Sequence, residues 1–229
     1  PYLRAIGIDR LDGMIVTHRD TDHSGGAQSV LESMPVQWVA DAPDTRFADQ
    51  VSGVRSKHCR SGHDWTWDGV HFEFLHPVSR TDAKEDASNH QSCVLRVSVG
   101  ERSMLLTSDI ELSDEQQLVQ RGLPESQILL VPHHGSGTSS GSALLDAVKP
   151  QVAIVPVGYR NRYRHPKPEV IDAYEARRIK VYRTDYDGLV QVELPSLKVS
   201  AYRRDHRRYW MDQPAARSVA TSAAAQDEQ

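Results

Sequence analysis

The feature that most constrains this sequence is a dense group of metal-binding side chains directly after a run of apolar residues. The apolar run, Leu11–Val16, is typical of a buried β-strand, and the Ser-Gly-Gly at residues 24–26 predicts a turn into a helix over residues 27–34. Four potential ligands lie between them within six residues: His18, Asp20, Asp22 and His23. Imidazole and carboxylate groups together suit zinc, manganese or iron. Capping the next helix would need only one of these side chains, so we interpret the segment as a metal-binding loop at the end of a strand.

Three later motifs extend this pattern. A Leu-Leu-Thr-Ser-Asp run ends at Asp109, a Pro-His-His-Gly-Ser run ends at Ser136, and an Asn-x-Tyr-x-His-Pro run ends at Pro166. Together with the first segment they resemble the motifs of the metallo-β-lactamase-like hydrolase superfamily, whose usual signature is His-x-His-x-Asp-His. Asp20 stands where the second histidine is usual, and Ser108 stands where a glycine is usual. These details resemble one branch, the C-terminal domain of ComEC-type competence proteins, which are inner-membrane DNA-uptake channels. The resemblance covers residues 11 to about 190.

The local patterns predict a mixed α and β fold. Strands are expected over residues 11–17, 36–40, 127–131, 152–157 and 181–183, and in hairpins over 66–75, 93–107 and 188–202. Helices are expected over residues 27–34, 112–121, 139–148 and 168–177, and a helical turn is expected within residues 44–51 with Asp44 as its cap. A mobile loop is expected over residues 77–87. The resemblance, rather than these patterns, implies an αββα sandwich of the α/β (α+β) class that lacks the usual first strands.

The organisation of the chain follows from its composition. Residues 1–210 are predicted to form one hydrolase domain, and residues 211–229, rich in Ala, Ser and Gln, a disordered tail. No apolar run approaches the length of a membrane span. The first residue is Pro1 rather than Met, and the resembled family has further strands before this point. We therefore expect a fragment of a longer chain whose membrane-embedded part lies upstream.

The resemblance also implies how the ligands are shared between two divalent ions. His18 and Asp20 would serve the first ion, Asp22 and His23 the second, and Asp109 would bridge them. Asp109 would otherwise cap the helix that follows. One histidine of the pair at residues 133–134 would join the second ion; the family form favours His134 as the ligand, with His133 lining the site. Because the ligand set is rich in oxygen, manganese is favoured and zinc stays an alternative.

One histidine of the broader family is absent before the strand that starts at residue 93. His90 lies in that segment, and it is expected either to substitute or to be exposed. Five further histidines have no ligand spacing and are expected at the surface or in hairpins: His58, His63, His71, His76 and His206.

Catalytic and substrate-binding roles are assigned to residues near these ligands. Asp22, His133 and His165 are the predicted catalytic residues, with His165 either binding phosphate, protonating a leaving oxygen or only packing beside Pro166. Predicted substrate contacts are Asn161, Arg160, Arg162, Arg164 and Ser136. The hydroxyls of Ser136 and of residues 138–140 also fit helix capping. A second basic cluster at residues 203–208 is equally consistent with a solvated face. We identify no Gly-x-Ser-x-Gly nucleophile elbow, which would place such a serine in the turn directly between a strand and a helix. This favours attack by water.

The leading hypothesis is a metal-dependent nuclease that degrades the non-transported strand of incoming DNA. Net charge is −4, so any affinity for DNA must be local. The expected partners are DNA and the membrane channel portion of the same full-length chain, with no small-molecule cofactor. Two alternatives stay open: another hydrolase of this fold acting on lactones, thioesters or lactams, and a catalytically weak DNA-binding module.

The resemblance implies a bacterial inner-membrane protein with this domain soluble on the periplasmic face. The chain has two cysteines, Cys59 and Cys93, which could be free thiols or one disulfide. The oxidising location favours the disulfide.

Overall fold

The strands of the protein form two main sheets and a separate hairpin. The computed structural model describes residues 2–78 and 88–209, so the predicted mobile loop from residue 79 onward and the predicted tail lie outside the described residues. The first sheet contains β1 Leu11–Val16, β2 Val36–Asp41 and β3 Arg55–His58. These three strands are parallel and lie in the order β1-β2-β3.

The second sheet has seven strands. In chain order they are β4 Asp64–Trp67, β5 Val70–His76, β6 Val94–Val99, β7 Arg102–Leu106, β8 Ile128–Leu130, β9 Val152–Val155 and β10 Lys180–Arg183. They lie in sequential order, antiparallel from β4 to β7 and parallel from β7 to β10. The antiparallel hairpin consists of β11 Val190–Glu193 and β12 Lys198–Ala201.

Nine α-helices, five of them single turns of four residues, lie in the described ranges. They are α1 Tyr2–Ala5, α2 Thr21–Ser24, α3 Ala27–Ser33, α4 Phe47–Gln50, α5 Leu112–Gln120, α6 Ser142–Val148, α7 Pro168–Ala176, α8 Thr184–Asp187 and α9 Tyr202–Asp205. Two short 3₁₀ segments, Asn89–Gln91 and Pro132–Gly135, complete the list. None of the helices in these ranges is long and apolar enough to cross a bilayer.

The seven-stranded sheet is the middle layer of a sandwich. One of its faces packs against α5, α6 and α7 in a core that includes Leu105, Leu145 and Tyr174. Its other face packs partly against the three-stranded sheet, through residues such as Ala40 and Phe74, and partly against the β11–β12 hairpin. All four residues of β9 are buried, as expected for a parallel strand covered on both faces. The predicted mixed α/β sandwich is confirmed.

A disulfide ties the two sheets together. Cys59 follows β3 and Cys93 precedes β6, and their sulfurs are bonded. Both side chains are buried between the sheets. The backbone N–H of Cys93 also donates to the carbonyl oxygen of Thr17, 2.8 Å away, directly before His18. The predicted pairing is confirmed, and it braces the loop that carries the predicted ligands.

Several local details differ from the sequence analysis. β3 was not predicted, because its sequence Arg-Ser-Lys-His has no apolar alternation and its conformation depends on pairing with β2. The helical turn predicted within residues 44–51 is present as α4, but it starts after Arg46, so Asp44 does not cap it. His76 is buried at the end of β5, where its Nδ1 donates to the carbonyl oxygen of Ser92 at 2.8 Å.

The hydroxyl cluster before α6 also differs from the prediction. The helix begins at Ser142 with Gly141 as its N-cap, so the predicted capping hydroxyls lie outside it. Ser139 Oγ donates to the carbonyl oxygen of Pro132 at 2.9 Å, and Ser140 Oγ lies 3.1 Å from the Tyr174 hydroxyl. These hydroxyls therefore hold the segment between residue 132 and α6 in place.

Candidate metal centre

The first ligand loop directly follows β1. His18 is fully buried, and its Nε2 has no hydrogen-bond partner among the described residues. Asp20 is the N-cap of α2, and that single turn carries Asp22 and His23. All four ligand candidates therefore lie within six residues of one another at the end of β1.

The aspartate after β7 lies at the centre of the converging side chains. Asp109 Oδ1 is 3.3 Å from His23 Nε2, and Asp109 Oδ2 is 3.4 Å from His134 Nε2 and 3.9 Å from His18 Nε2. Ser108, directly before it, has a φ of 51°, in the left-handed region that favours the glycine usual at this position of the motif. Glu111 rather than Asp109 caps α5. Asp109 therefore lies where a bridging ligand was predicted.

The three histidines of the cluster share one arrangement of their ring nitrogens. His134 Nδ1 donates to the carbonyl oxygen of Pro156 at 2.6 Å. His18 Nδ1 and His23 Nδ1 lie 3.3 Å and 3.2 Å from the hydroxyl of Thr17. Each Nε2 consequently faces the cluster. Outer hydrogen bonds of this kind orient metal-ligating histidines and fix the tautomer.

His133 and His134 have different surroundings. His133 Nδ1 lies 3.4 Å from Glu111 Oε1 and its Nε2 is 3.9 Å from Asp109 Oδ2, at the margin of the cluster. His134 Nε2 lies 3.1 Å from His23 Nε2 and 3.4 Å from Asp22 Oδ2. The geometry therefore favours His134 as the ligand and leaves His133 lining the site.

Two overlapping groups of side chains have ligand atoms within 4.8 Å of one another: His18 with His23 and Asp109, and Asp22 with His23 and His134. Asp20 lies close by, with Oδ2 3.8 Å from His18 Nε2 and Oδ1 accepting a 2.6 Å hydrogen bond from Ser88. An unpartnered buried imidazole nitrogen facing carboxylates is what a divalent cation would satisfy. The residues present fit such an ion.

The pKa shifts of the cluster residues favour binding of a cation. Burial alone would raise the pKa of Asp109, but hydrogen bonds with His134 and His23 hold it well below its ordinary value. The hydrogen bond to Asp109 raises the pKa of His134 to about 9. Burial lowers the pKa of His18 to about 4, so this ring is neutral at pH 7, as a metal ligand must be. An ion bound here would displace the proton of His134.

The predicted catalytic histidine of the last motif lies beside this cluster. The His165 ring is 6.0 Å from the His133 ring, and its Nδ1 is buried without a partner among the described residues. Asn161 holds it there: Nδ2 donates to the His165 carbonyl oxygen at 2.7 Å, and Oδ1 accepts from the His165 N–H at 2.9 Å. Asn161 thus positions the loop. Its substrate contact stays a prediction, since both of its polar groups already bind backbone.

Gly135 brings the Pro-His-His-Gly-Ser motif and the Asn-x-Tyr-x-His-Pro motif together. A Cβ at this position would lie 2.4 Å from Pro166 Cβ, and the φ of Gly135 is +81°. The N–H of Lys167 donates to the Gly135 carbonyl oxygen at 2.9 Å. Only glycine permits this approach, and it holds His165 against the metal cluster.

A cleft of about 610 Å³ opens beside the cluster and is lined by Arg19, Asp20, Thr21, Asp22, Arg162 and Tyr163. Arg162 lies over the Tyr163 ring at 4.7 Å, and Tyr163 stacks on His165 at 5.8 Å. Arg160 lies over Tyr159 instead, Arg164 is exposed, and neither lines this cleft. The Oγ of Ser136 is 3.1 Å from the Thr138 hydroxyl. The substrate roles of these residues stay predictions.

Other basic and histidine residues have structural partners. His90 pairs with Asp114 at 2.8 Å, so it does not replace the absent family histidine. In the second basic cluster, Arg203 donates to the Asp185 carbonyl oxygen and Arg204 pairs with Asp187. Sequence reasoning did not identify Thr17, Glu111, Arg19 and Tyr163 near the site. The only sequence signal that could have identified them was their position within or next to the motifs.

Comparison with known proteins identifies the class to which this fold and site belong. The profile of the Metallo-beta-lactamase superfamily matches residues 1–159. The chain belongs to the metallo-β-lactamase superfamily. Membership and the His/Asp cluster together support a metal-dependent hydrolase.

Particular relatives narrow this class. The chain is 39% identical over 217 residues to the Competence protein ComA of Neisseria gonorrhoeae, covering 93% of this chain and 30% of that protein. It is 34% identical over 202 residues to the ComE operon protein 3 of Bacillus subtilis, covering 83% of this chain and 26% of that protein. The chain therefore spans less than a third of the length of these relatives.

Solved structures support the fold. A candidate metal-dependent hydrolase from Parabacteroides distasonis superposes with a TM-score of 0.53 at 14% identity, over 78% of each chain. CmlA, a diiron β-hydroxylase from Streptomyces venezuelae, superposes with a TM-score of 0.51 at 11% identity, over 76% of this chain and 44% of that one. At these identities the likeness concerns the fold alone.

Proposed function

We propose that this chain is a metal-dependent nuclease domain that hydrolyses phosphodiester bonds of DNA during DNA uptake in natural transformation, and that it degrades the strand that is not transported. The observation that carries the proposal is that the candidate metal cluster and a cleft with basic and aromatic residues lie side by side. Five histidine and aspartate side chains converge on one point, and the adjoining cleft carries Arg19, Arg162 and Tyr163. Guanidinium groups bind phosphate and aromatic rings stack on bases. The competence proteins among its relatives support the biological setting.

The chain's own residues have distinct roles in this proposal. His18, Asp20 and Asp109 would hold one divalent ion, and Asp22, His23 and His134 a second, with manganese preferred and zinc the alternative. Asp109 would contribute to both. Divalent ions held there would lower the pKa of a water molecule and neutralise charge on the phosphoryl oxygens. Arg19 and Arg162 would bind the phosphates that flank the reacting one. His165, held by Asn161, would donate a proton to the leaving oxygen, and His133, which contacts Glu111, would orient the water.

We also propose a location. The domain would lie on the periplasmic face of the bacterial inner membrane as part of a longer membrane protein, whose channel portion would be its partner. The Cys59–Cys93 disulfide supports an oxidising compartment, because such bonds are rare in the cytosol.

A second candidate is a DNA-binding module without strong catalysis. Asp20 replaces the usual histidine, its side chain is 46% exposed, and one of its oxygens already accepts from Ser88. This leaves the group around His18 with a weakly held ligand. Such a module would bind DNA in a salt-dependent manner and cleave nothing.

The test is cleavage of single- and double-stranded DNA after chelation and return of manganese, zinc or magnesium. Asp22→Ala should abolish cleavage, because Asp22 belongs to a ligand group, whereas Asp146→Ala, an exposed aspartate paired with Arg177, should not. His165→Ala should lower the rate without changing the metal content. Normal cleavage by Asp22→Ala would contradict the site. Binding without cleavage in every ion would favour the second candidate, and turnover of thioesters, lactones or lactams in place of DNA would favour another hydrolase.

A further inference from the structure

A second groove, which shares no residue with the metal cluster or its cleft, lies where the edges of the two sheets approach each other. It has a volume of about 340 Å³ and is lined by Trp38, Arg55, Ser56, Lys57 and Trp65. Within the described residues, β3 lies at the edge of the first sheet and β4 at the edge of the second. The groove is therefore built from strands rather than from loops.

The positions on these strands explain the composition of the groove. Arg55 and Lys57 are two residues apart on β3, so their side chains leave the same face. Arg55 is in register with Trp38 on β2. Across the groove, Trp65 pairs with Phe72 and their rings stack at 5.0 Å. The Trp38 and Trp65 rings meet at 81° with centroids 5.6 Å apart, so they form two walls of an apolar corner.

The described residues do not neutralise the positive charges in this corner. Lys57 Nζ lies 4.5 Å from the Trp65 ring centroid and 5.1 Å from the Trp38 ring centroid. Among residues 2–78 and 88–209, neither Lys57 nor Arg55 forms an ion pair with a carboxylate. Strand alternation places the nearby carboxylates Asp64 and Glu73 on the opposite face of the β4–β5 hairpin from Trp65. Burial also lowers the pKa of Lys57, a further sign that its surroundings are apolar.

A lysine on an edge strand often has the purely structural role of blocking pairing with other chains. That role needs neither a second cation on the same face nor two tryptophans in a groove. Aromatic walls with unpaired cations are the composition that binds single-stranded nucleic acid, where bases contact rings and phosphates contact lysine and arginine. A duplex keeps its bases stacked inside and cannot offer them to such walls.

We propose that this groove is an accessory binding site for single-stranded nucleic acid, in which Lys57 and Arg55 contact phosphates and the rings of Trp38 and Trp65 contact bases. The choice of occupant rests on the proposed nuclease function, and the groove itself rests on its own geometry. Its role is to hold a strand away from the metal centre while that centre acts on another part of the strand.

The experiment compares Lys57→Gln with Lys180→Gln. Lys180 is the matched control, because it lies on the opposite edge strand β10 and also over one aromatic ring, that of Tyr182, at 5.1 Å. Anisotropy would measure binding of a phosphorothioate-linked oligothymidine, which resists hydrolysis, to the metal-loaded protein over a salt series. Because one phosphate contact is lost, Lys57→Gln should weaken binding about fivefold at about 0.1 M salt and should reduce the salt slope by about 0.7. Lys180→Gln should bind like the wild type.

Two further measurements distinguish failure of the groove proposal from failure of the proposed nuclease function. Trp65→Phe keeps an aromatic ring against Phe72, so it should fold, and it should also weaken strand binding. Hydrolysis of bis(p-nitrophenyl) phosphate, too small to span both sites, should be unchanged in Lys57→Gln. Equal strand affinity of Lys57→Gln and Lys180→Gln, or no strand binding by the wild type, would overturn the groove proposal even if hydrolysis were normal. Loss of strand binding in Lys57→Gln with no phosphodiester hydrolysis by the wild type would sustain the groove and reject the nuclease.

Discussion

Removal of the Cys59–Cys93 disulfide should cost this protein a large part of its stability. The two cysteines are 34 residues apart in sequence, so the bond closes a loop of this length. The loop-closure entropy that it removes from the unfolded chain corresponds to about 4 kcal/mol at room temperature. Because both sulfurs are buried between the sheets, replacement by alanine adds a small cavity cost in the same direction. A domain of this size would lose roughly 8–16 °C in Tm.

The assay is urea unfolding of the Cys59→Ala/Cys93→Ala double variant and of the wild type, each with and without reductant. Alanine is preferred to serine because a buried hydroxyl would need a hydrogen-bond partner. The wild type in reductant should approach the stability of the double variant, and the double variant itself should not respond to reductant. Thiol titration of the unfolded, unreduced wild type should find no reactive thiol.

The same bond should also affect the metal centre. Cys93 N–H donates to the Thr17 carbonyl oxygen, and the Thr17 hydroxyl contacts Nδ1 of both His18 and His23. Loosening this brace should weaken metal binding in the double variant under native conditions. A stability difference below about 1 kcal/mol, or two reactive thiols in the unreduced wild type, would refute the reasoning.

Two further predictions concern buried groups. Burial raises the pKa of Glu115 to about 7 from 4.5, so the folded protein keeps a proton that the unfolded chain loses between these values. The contribution of Glu115 to the free energy of unfolding is therefore fully present below pH 4.5. It is lost as pH rises through 7, and the loss amounts to about 3 kcal/mol. Urea unfolding across this pH range should show the loss in the wild type and not in Glu115→Gln. Gly135→Ala should destabilise the protein by about 2–3 kcal/mol, because the new Cβ would meet Pro166 in a left-handed backbone, and thermal unfolding would measure it.

Each of these has its own control. For Glu115 the quantity is the difference between wild type and variant, since other groups also titrate, and parallel pH profiles would contradict the assignment. For Gly135 the matched variant is Gly137→Ala, whose Cβ would lie 3.4 Å from Glu169 Oε1, an ordinary contact. Equal stability of the two glycine variants would show that the Gly135–Pro166 approach is not a constraint.

Much of the candidate site could be predicted from local sequence. His18, Asp20, Asp22 and His23 follow an apolar strand within six residues, so the strand end alone brings them together. The hairpin β4–β5 was predicted over residues 66–75, and α5 was predicted over residues 112–121. Such features depend on interactions between residues close in sequence, so a single short segment is enough to predict them.

Other features needed partners from distant parts of the chain. The choice between His133 and His134 depends on the Pro156 carbonyl oxygen, which orients His134, and on Glu111, which contacts His133. Adjacent residues of one turn cannot reveal these contacts. The strand β3 likewise has no apolar alternation and forms because β2 lies beside it.

Residue chemistry and spacing within single elements were enough to predict the candidate ligands, their order along the chain and the mixed α and β class. The position of Asp109 between His18, His23 and His134, the approach of Pro166 to Gly135, and the contact of Trp38 and Lys57 with Trp65 across two sheets became visible only in the folded protein. These contacts arise from the packing of distant elements on one another, and their distances depend on how the whole core closes rather than on any local pattern.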